Sequence, residues 1–271
     1  MRLLVVGCGQ MGGWFARHLS SLGHSLELYD VDRNAAERLA SEVGGRPIGD
    51  LRESGGGDGV IVAVPSRAAR GALRELGSLP KRYGFVVEIS ALKGPVAGEV
   101  RRLRRKGMTV VMLHPLFGPR TKDLEGTVAV HVEPGDEEAE RSVIDRILPG
   151  TRVITMGLRE HDASVRYSVG LTHFIGLAAA LALSRSAAEP LPTNSMGALM
   201  RLVEIALSES DSFYLDEPMR SAASMRVMRA FLRECERTLD LLERGALPSH
   251  LRRARNRFKS IREQCVRGNG V

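Results

Sequence analysis

Arg2-Leu3-Leu4-Val5-Val6-Gly7-Cys8-Gly9-Gln10-Met11-Gly12 is the stretch from which the rest of the chain can be read. A mostly apolar strand breaks at a G-x-G-x-x-G turn, and Gly13-Trp14-Phe15-Ala16-Arg17-His18-Leu19 then opens as a helix. Strand, glycine turn and helix in that order form the dinucleotide-binding (Rossmann) fingerprint. Gly7 permits the tight turn, Gly9 lets backbone approach a pyrophosphate, and Gly12 lets the helix pack against the strand. The N–H groups of the first helical turn, with Gln10 and Met11, offer the positive end of the helix dipole to the phosphates.

A second strand, Ser25–Tyr29, ends at Asp30, 18 positions beyond Gly12. An acid about 20 residues past the fingerprint holds the ribose hydroxyl. Its charge repels a 2′-phosphate, so NAD is expected over NADP, with Arg33 near enough to soften the preference.

Farther along, strand and helix alternate. Residues 34–43 read as a helix closed by Gly44-Gly45-Arg46-Pro47, and 54–59 as a glycine loop. Residues 59–64 form a continuous apolar strand, the pattern of a strand covered on both faces. It stops at Val64-Pro65, at a carboxyl end where α/β sheets bind ligands. A helix (67–76), a strand (85–89), a basic helix (96–106) and a strand (109–113) follow. Next come a strand at 127–132, a helix at Glu137–Ile147 and a strand at Arg152–Met156. The expectation is an α/β fold, with a doubly wound, mostly parallel sheet over residues 1–157. Beyond it, 158–271 reads as an all-helical domain for substrate binding and dimerisation. Its segment 162–184 is apolar all round, the mark of a buried helix, and a helix so apolar suits the centre of a homodimer. Segments 199–208, 219–244 and 251–266 carry apolar residues at helical spacing.

The 271 residues are 43% hydrophobic and 26% charged, an ordinary globular balance, with a net charge of +7. The basic clusters at 101–106 and 252–257 lack interleaved aromatics, so solvated helix faces are expected and no nucleic-acid partner. The longest apolar run, 171–183, falls short of the roughly 18 residues that span a bilayer, and no secretory signal or membrane partner is expected. Cys8, Cys235 and Cys265 are odd in number and lack metal spacing, which fits the cytoplasm.

Two reactive groups stand at strand ends on the ligand edge: Ser90 and His114. With an ordinary pKa of about 6.5, His114 is mostly neutral near pH 7 and able to accept a proton. A hydroxyl such as Ser90 could orient that imidazole or touch the same substrate oxygen. His173, inside the most apolar helix, must be hydrogen-bonded or face a wet cavity. Asp162 reads as an N-terminal carboxylate of its own helix. No zinc-like cluster and no G-x-S-x-G is present.

Gly7–Gly12, Val62-Ala63-Val64-Pro65, Ser90-Ala91-Leu92-Lys93, His114-Pro115-Leu116-Phe117-Gly118-Pro119 and Thr172-His173-Phe174-Ile175 together resemble the prephenate/arogenate dehydrogenase family of tyrosine biosynthesis. The resemblance implies an NAD-dependent oxidative decarboxylation of prephenate to 4-hydroxyphenylpyruvate. His114 would take the C4-hydroxyl proton, Ser90 would hydrogen-bond the hydroxyl or the imidazole, and His173 would help hold the substrate. It also implies an arginine some nine residues before an aromatic. Counted from Tyr214 that position is Ile205, which leaves Arg201, one turn earlier, and Arg120 as candidates for the substrate carboxylate. The competing readings are an arogenate dehydrogenase, another two-domain oxidoreductase of the β-hydroxyacid or imine reductase type, and a dinucleotide sensor without turnover.

Overall fold

The computed structural model describes residues 1–80, 83–187, 189–247, 251–252 and 254–259, and divides into two compact units, Met1–Asp162 and Ala163–Val271. In the first unit, strands β1 (Arg2–Val6), β2 (Ser25–Tyr29), β3 (Arg46–Pro47), β4 (Gly57–Val62), β5 (Tyr83–Glu88), β6 (Thr109–Pro115), β7 (Val128–Val132) and β8 (Arg152–Met156) form one sheet. Its order is β3-β2-β1-β4-β5-β6-β7-β8, the doubly wound arrangement. All neighbours are parallel except β6 and β7, so β7 and β8 run against the rest.

Strand periodicity divides the core, because successive side chains point to opposite faces. Leu3, Val5, Ile61, Val87, Val111 and Leu113 pack with α1 (Gln10–Ser21), α2 (Arg33–Val43) and α5 (Glu137–Ile147). Leu4, Val6, Val60, Val62, Val86, Val110 and Met112 pack instead with α3 (Ser66–Leu76) and α4 (Gly94–Arg105). Much of the basic stretch 101–106 is spent in ion pairs: Arg101 with Glu133, Arg102 with Glu99 and Arg104 with Glu140.

The second unit holds α7 (Thr172–Leu183), α8 (Asn194–Leu207), α9 (Asp211–Tyr214), α10 (Glu217–Arg220) and α11 (Ala222–Glu243). α6 (Leu158–Val165) runs through a π-helical turn, Arg166–Leu171, into α7. Gly176 lets α7 and α8 close together, since a Cβ there would sit 2.7 Å from the Leu202 carbonyl oxygen. The expected helix at 251–266 lies mostly outside the described residues.

Two expectations about the apolar helix need correction. Leu158–Leu183 is one helix of 26 residues, long and apolar enough by length and composition to cross a membrane, not short of it. Nor is it buried: only 17% of its apolar window is covered by the chain. The apolar run alone undercounted the helix, and uniform hydropathy gives no direction for a packing face, so it could not show how little of the helix the described residues cover.

Candidate active site

The glycine turn ends β1. Gly7 has a φ of 98°, which a side chain rarely adopts, and a Cβ on it would meet the Ala63 carbonyl oxygen at 2.6 Å and Val64 at 2.8 Å. The end of β4, with Val64 and Pro65, therefore closes directly on the turn. A Cβ at Gly12 would collide with the Gly7 carbonyl oxygen, whereas one at Gly9 would meet nothing within 4 Å. That open side, at an α1 N-terminus without a side-chain cap, is where a pyrophosphate can approach. Asp30 is fixed to the turn: its Oδ2 accepts the Cys8 N–H at 2.6 Å and its Oδ1 the Asp32 N–H at 2.9 Å. Arg33 is held by Glu37 at 2.8 Å. Burial, with Asp30 beside it, pushes the Cys8 thiol up to about 12, which disfavours the thiolate. These residues fit a dinucleotide.

His114 lies within β6 rather than after it, opposite Val130 of the antiparallel strand β7. By strand parity it shares a face with Val110 and Met112, the face covered by α4. The loop that follows is braced by the Trp14 and Phe117 rings, 4.9 Å apart, and by the Trp14 N–H donating to the Thr121 carbonyl at 2.7 Å. His114 is 8% exposed. Its Nδ1 lies 2.9 Å from Nε2 of His161, whose Nδ1 lies 2.9 Å from Oδ1 of Asp162. Asp162 also accepts the N–H groups of Lys93 at 3.0 Å and Gly94 at 2.8 Å. It caps α4 from a distance, in place of the expected role on its own helix.

Below this chain sits a second ionic group. Lys93 Nζ, fully buried, donates to Glu88 Oε2 at 2.7 Å, the Glu88 carbonyl at 3.0 Å and the Leu113 carbonyl at 2.8 Å. Glu88 Oε1 accepts the Ser90 N–H at 2.6 Å. The Ser90 hydroxyl donates to the Leu92 carbonyl at 3.1 Å, so in this state it is His161, not Ser90, that orients the imidazole. Burial first, then the Lys93 charge and His161, hold the His114 pKa well below the ordinary histidine value, against the pull of Asp162. Burial opposes ionisation of Asp162, yet hydrogen bonds from His161, Lys93 and Gly94 outweigh it and lower its pKa. A neutral imidazole beside a fixed carboxylate can act as a base.

In the second unit, His173 Nδ1 lies 2.8 Å from the Val169 carbonyl and its ring 4.7 Å from Phe213. Its Nε2 is 3.5 Å from Glu209 Oε1 without hydrogen-bond geometry. Arg201 on α8 and Arg120 on the loop after β6 are both exposed. Tyr214 donates to the Ala206 carbonyl, and Ile205 is exposed.

No protein-family model matches the chain. It is 22% identical over 98% of its length to a protein of Methanocaldococcus jannaschii described as a probable arogenate/prephenate dehydrogenase. It is 24% identical over 90% of its length to the T-protein of Enterobacter agglomerans. A crystal structure of prephenate dehydrogenase from A. aeolicus, in complex with hydroxyphenyl propionate and NAD+, superposes with a TM-score of 0.71 at 18% identity, over 96% of this chain and 98% of that one. The relatives that match over most of its length are thus described as arogenate/prephenate dehydrogenase and T-protein, and the fold is that of a prephenate dehydrogenase. The chain spans 62% of the length of those two curated relatives. His161, Asp162, Glu88 and Lys93 are the site groups that sequence reasoning did not assign to it. Their only signal was a paired His-Asp and a lysine in an otherwise apolar turn.

Proposed function

We propose that this chain is an NAD-dependent prephenate dehydrogenase acting in tyrosine biosynthesis in the cytoplasm. The observation that carries the reading is His114: neutral, buried and held at Nδ1, with no protein partner at Nε2 among the described residues. A nicotinamide dinucleotide bound at the Gly7–Gly12 turn and Asp30 supplies the hydride acceptor for C4. His114 Nε2 takes the C4-hydroxyl proton as the carbonyl forms. The bond from the ring to its carboxylate then breaks, its electron pair enters the ring, and CO2 leaves. The proton on His114 returns to the phenolate oxygen, so the base is regenerated. Ser90 can turn its hydroxyl from Leu92 to the substrate oxygen. His173, with Arg201 or Arg120, holds the substrate carboxylates. Arogenate differs from prephenate in the side chain, away from C4, so the same base serves either substrate.

The uncovered apolar face of α7 and the exposed Leu181, Ile205 and Leu207 support a homodimer through the helical unit. Arg159, Glu160 and Arg166 in the same helix suit a second protein copy better than lipid.

The test is absorbance at the reduced-nicotinamide band with prephenate or arogenate, each with NAD and NADP. His114→Asn is expected to lose at least ~100-fold in turnover with cofactor affinity nearly unchanged. Equal rates in variant and parent would end the assignment.

A further inference from the structure

We infer that His161 and Asp162 are positioning residues that fix the tautomer of His114, leaving the lone pair of its Nε2 for the substrate proton. The inference rests on the reading of His114 as the base. It follows from counting donors along the chain His114–His161–Asp162.

Asp162, with its pKa lowered, is ionised and can only accept. Its Oδ1, 2.9 Å from His161 Nδ1, therefore requires the proton on that nitrogen. A neutral His161 then has only a lone pair at Nε2. The 2.9 Å contact with His114 Nδ1 is satisfied only if His114 donates from Nδ1. A neutral His114 ring carries one proton, so Nε2 is bare. The rings stand at 86° to each other with centroids 5.1 Å apart, the edge-on arrangement in which one nitrogen's lone pair points at the other ring's N–H.

Asp162 is itself anchored by two backbone N–H groups at the α4 N-terminus, one on each oxygen. Gly94 is required for that approach: a Cβ there would lie 2.9 Å from Asp162 Oδ2. When His114 takes the substrate proton, its Nδ1–H still donates to His161, and Asp162 stabilises the new charge through His161. Lys93 opposes that charge from the α4 side, with Glu88 partly offsetting it. Ser90 on the same turn carries no charge.

The experiment is nitrogen-15 NMR of the full chain labelled at histidine, with His114 assigned by loss of its signals in His114→Asn. At pH 7.5 the parent is expected to show a protonated Nδ1 and a bare Nε2 at His114. His161→Phe removes the acceptor and is expected to put the proton on Nε2, with turnover falling by about 10²–10⁴. His161→Gln keeps an acceptor oxygen and is expected to recover part of both. In Asp162→Asn the acid limb of the kcat/KM profile moves to lower pH, a shift that a merely structural residue would not produce. An Nε2–H tautomer in the parent, or an unchanged tautomer in His161→Phe, overturns the inference. Should His161→Phe fail to fold, the parent spectrum decides alone. If the parent turns over neither prephenate nor arogenate, the proposed function falls, while the spectrum still judges the relay.

Discussion

Lys93→Met removes one half of an ion pair in which both side chains are 0% exposed. Methionine matches the lysine stem in length, so packing is nearly kept and the loss is electrostatic. Three hydrogen bonds go with the ammonium, and Glu88 keeps only the Ser90 N–H. Breaking a buried pair from one side costs about 3–5 kcal/mol, because the remaining charge is uncompensated. At roughly 2–4 °C per kcal/mol for a chain of this size, the melting temperature should fall by about 6–20 °C. Adding Glu88→Gln removes the stranded charge while an amide oxygen still accepts from Ser90, so the double variant should regain more than half of the loss. The assay is thermal unfolding of parent, single and double variants by circular dichroism. A single variant melting within about 2 °C of the parent, or a double variant no better than the single, would refute the claim that this pair is a coupled buried unit.

Asp30→Ser should relax the cofactor preference toward NADP, read as the ratio of kcat/KM values for the two dinucleotides; a parent that already favours NADP would show that Arg33 overrides Asp30. Because the folded His114 pKa lies below the unfolded value of about 6.5, the unfolded chain binds more protons between the two, and the site's contribution to stability is lost as pH falls from about 6.5. The urea midpoint of the parent should therefore drop relative to that of His114→Asn between pH 7.5 and 5, and parallel curves would sink the argument.

Most of the sheet was legible because its signals are local. The glycine turn, the apolar run of β4, and the amphipathic helix at Glu137–Ile147 each specify their own element. The reversal at β7 was not, since Val128–Val132 is buried throughout and such a run looks the same in either direction. The cue was the linker 116–127, which contains no helix, whereas a parallel crossover needs one. His114 and Ser90 could be singled out by their place at strand ends. His161 and Asp162 could not, because their partners are 47 and 69 residues away and no periodicity links them.

The long-range cap on α4 also says something about how this chain is made. Strands β1 through β8 are complete by Met156, yet the carboxylate that satisfies the amides of Lys93 and Gly94 emerges six residues later. A fragment stopped at the last strand would possess every β-segment and still lack the clasp on its fourth major helix. On the ribosome, the His114 imidazole waits for His161 until the first unit is all but finished, so the His114–His161–Asp162 chain can close only as that unit is completed.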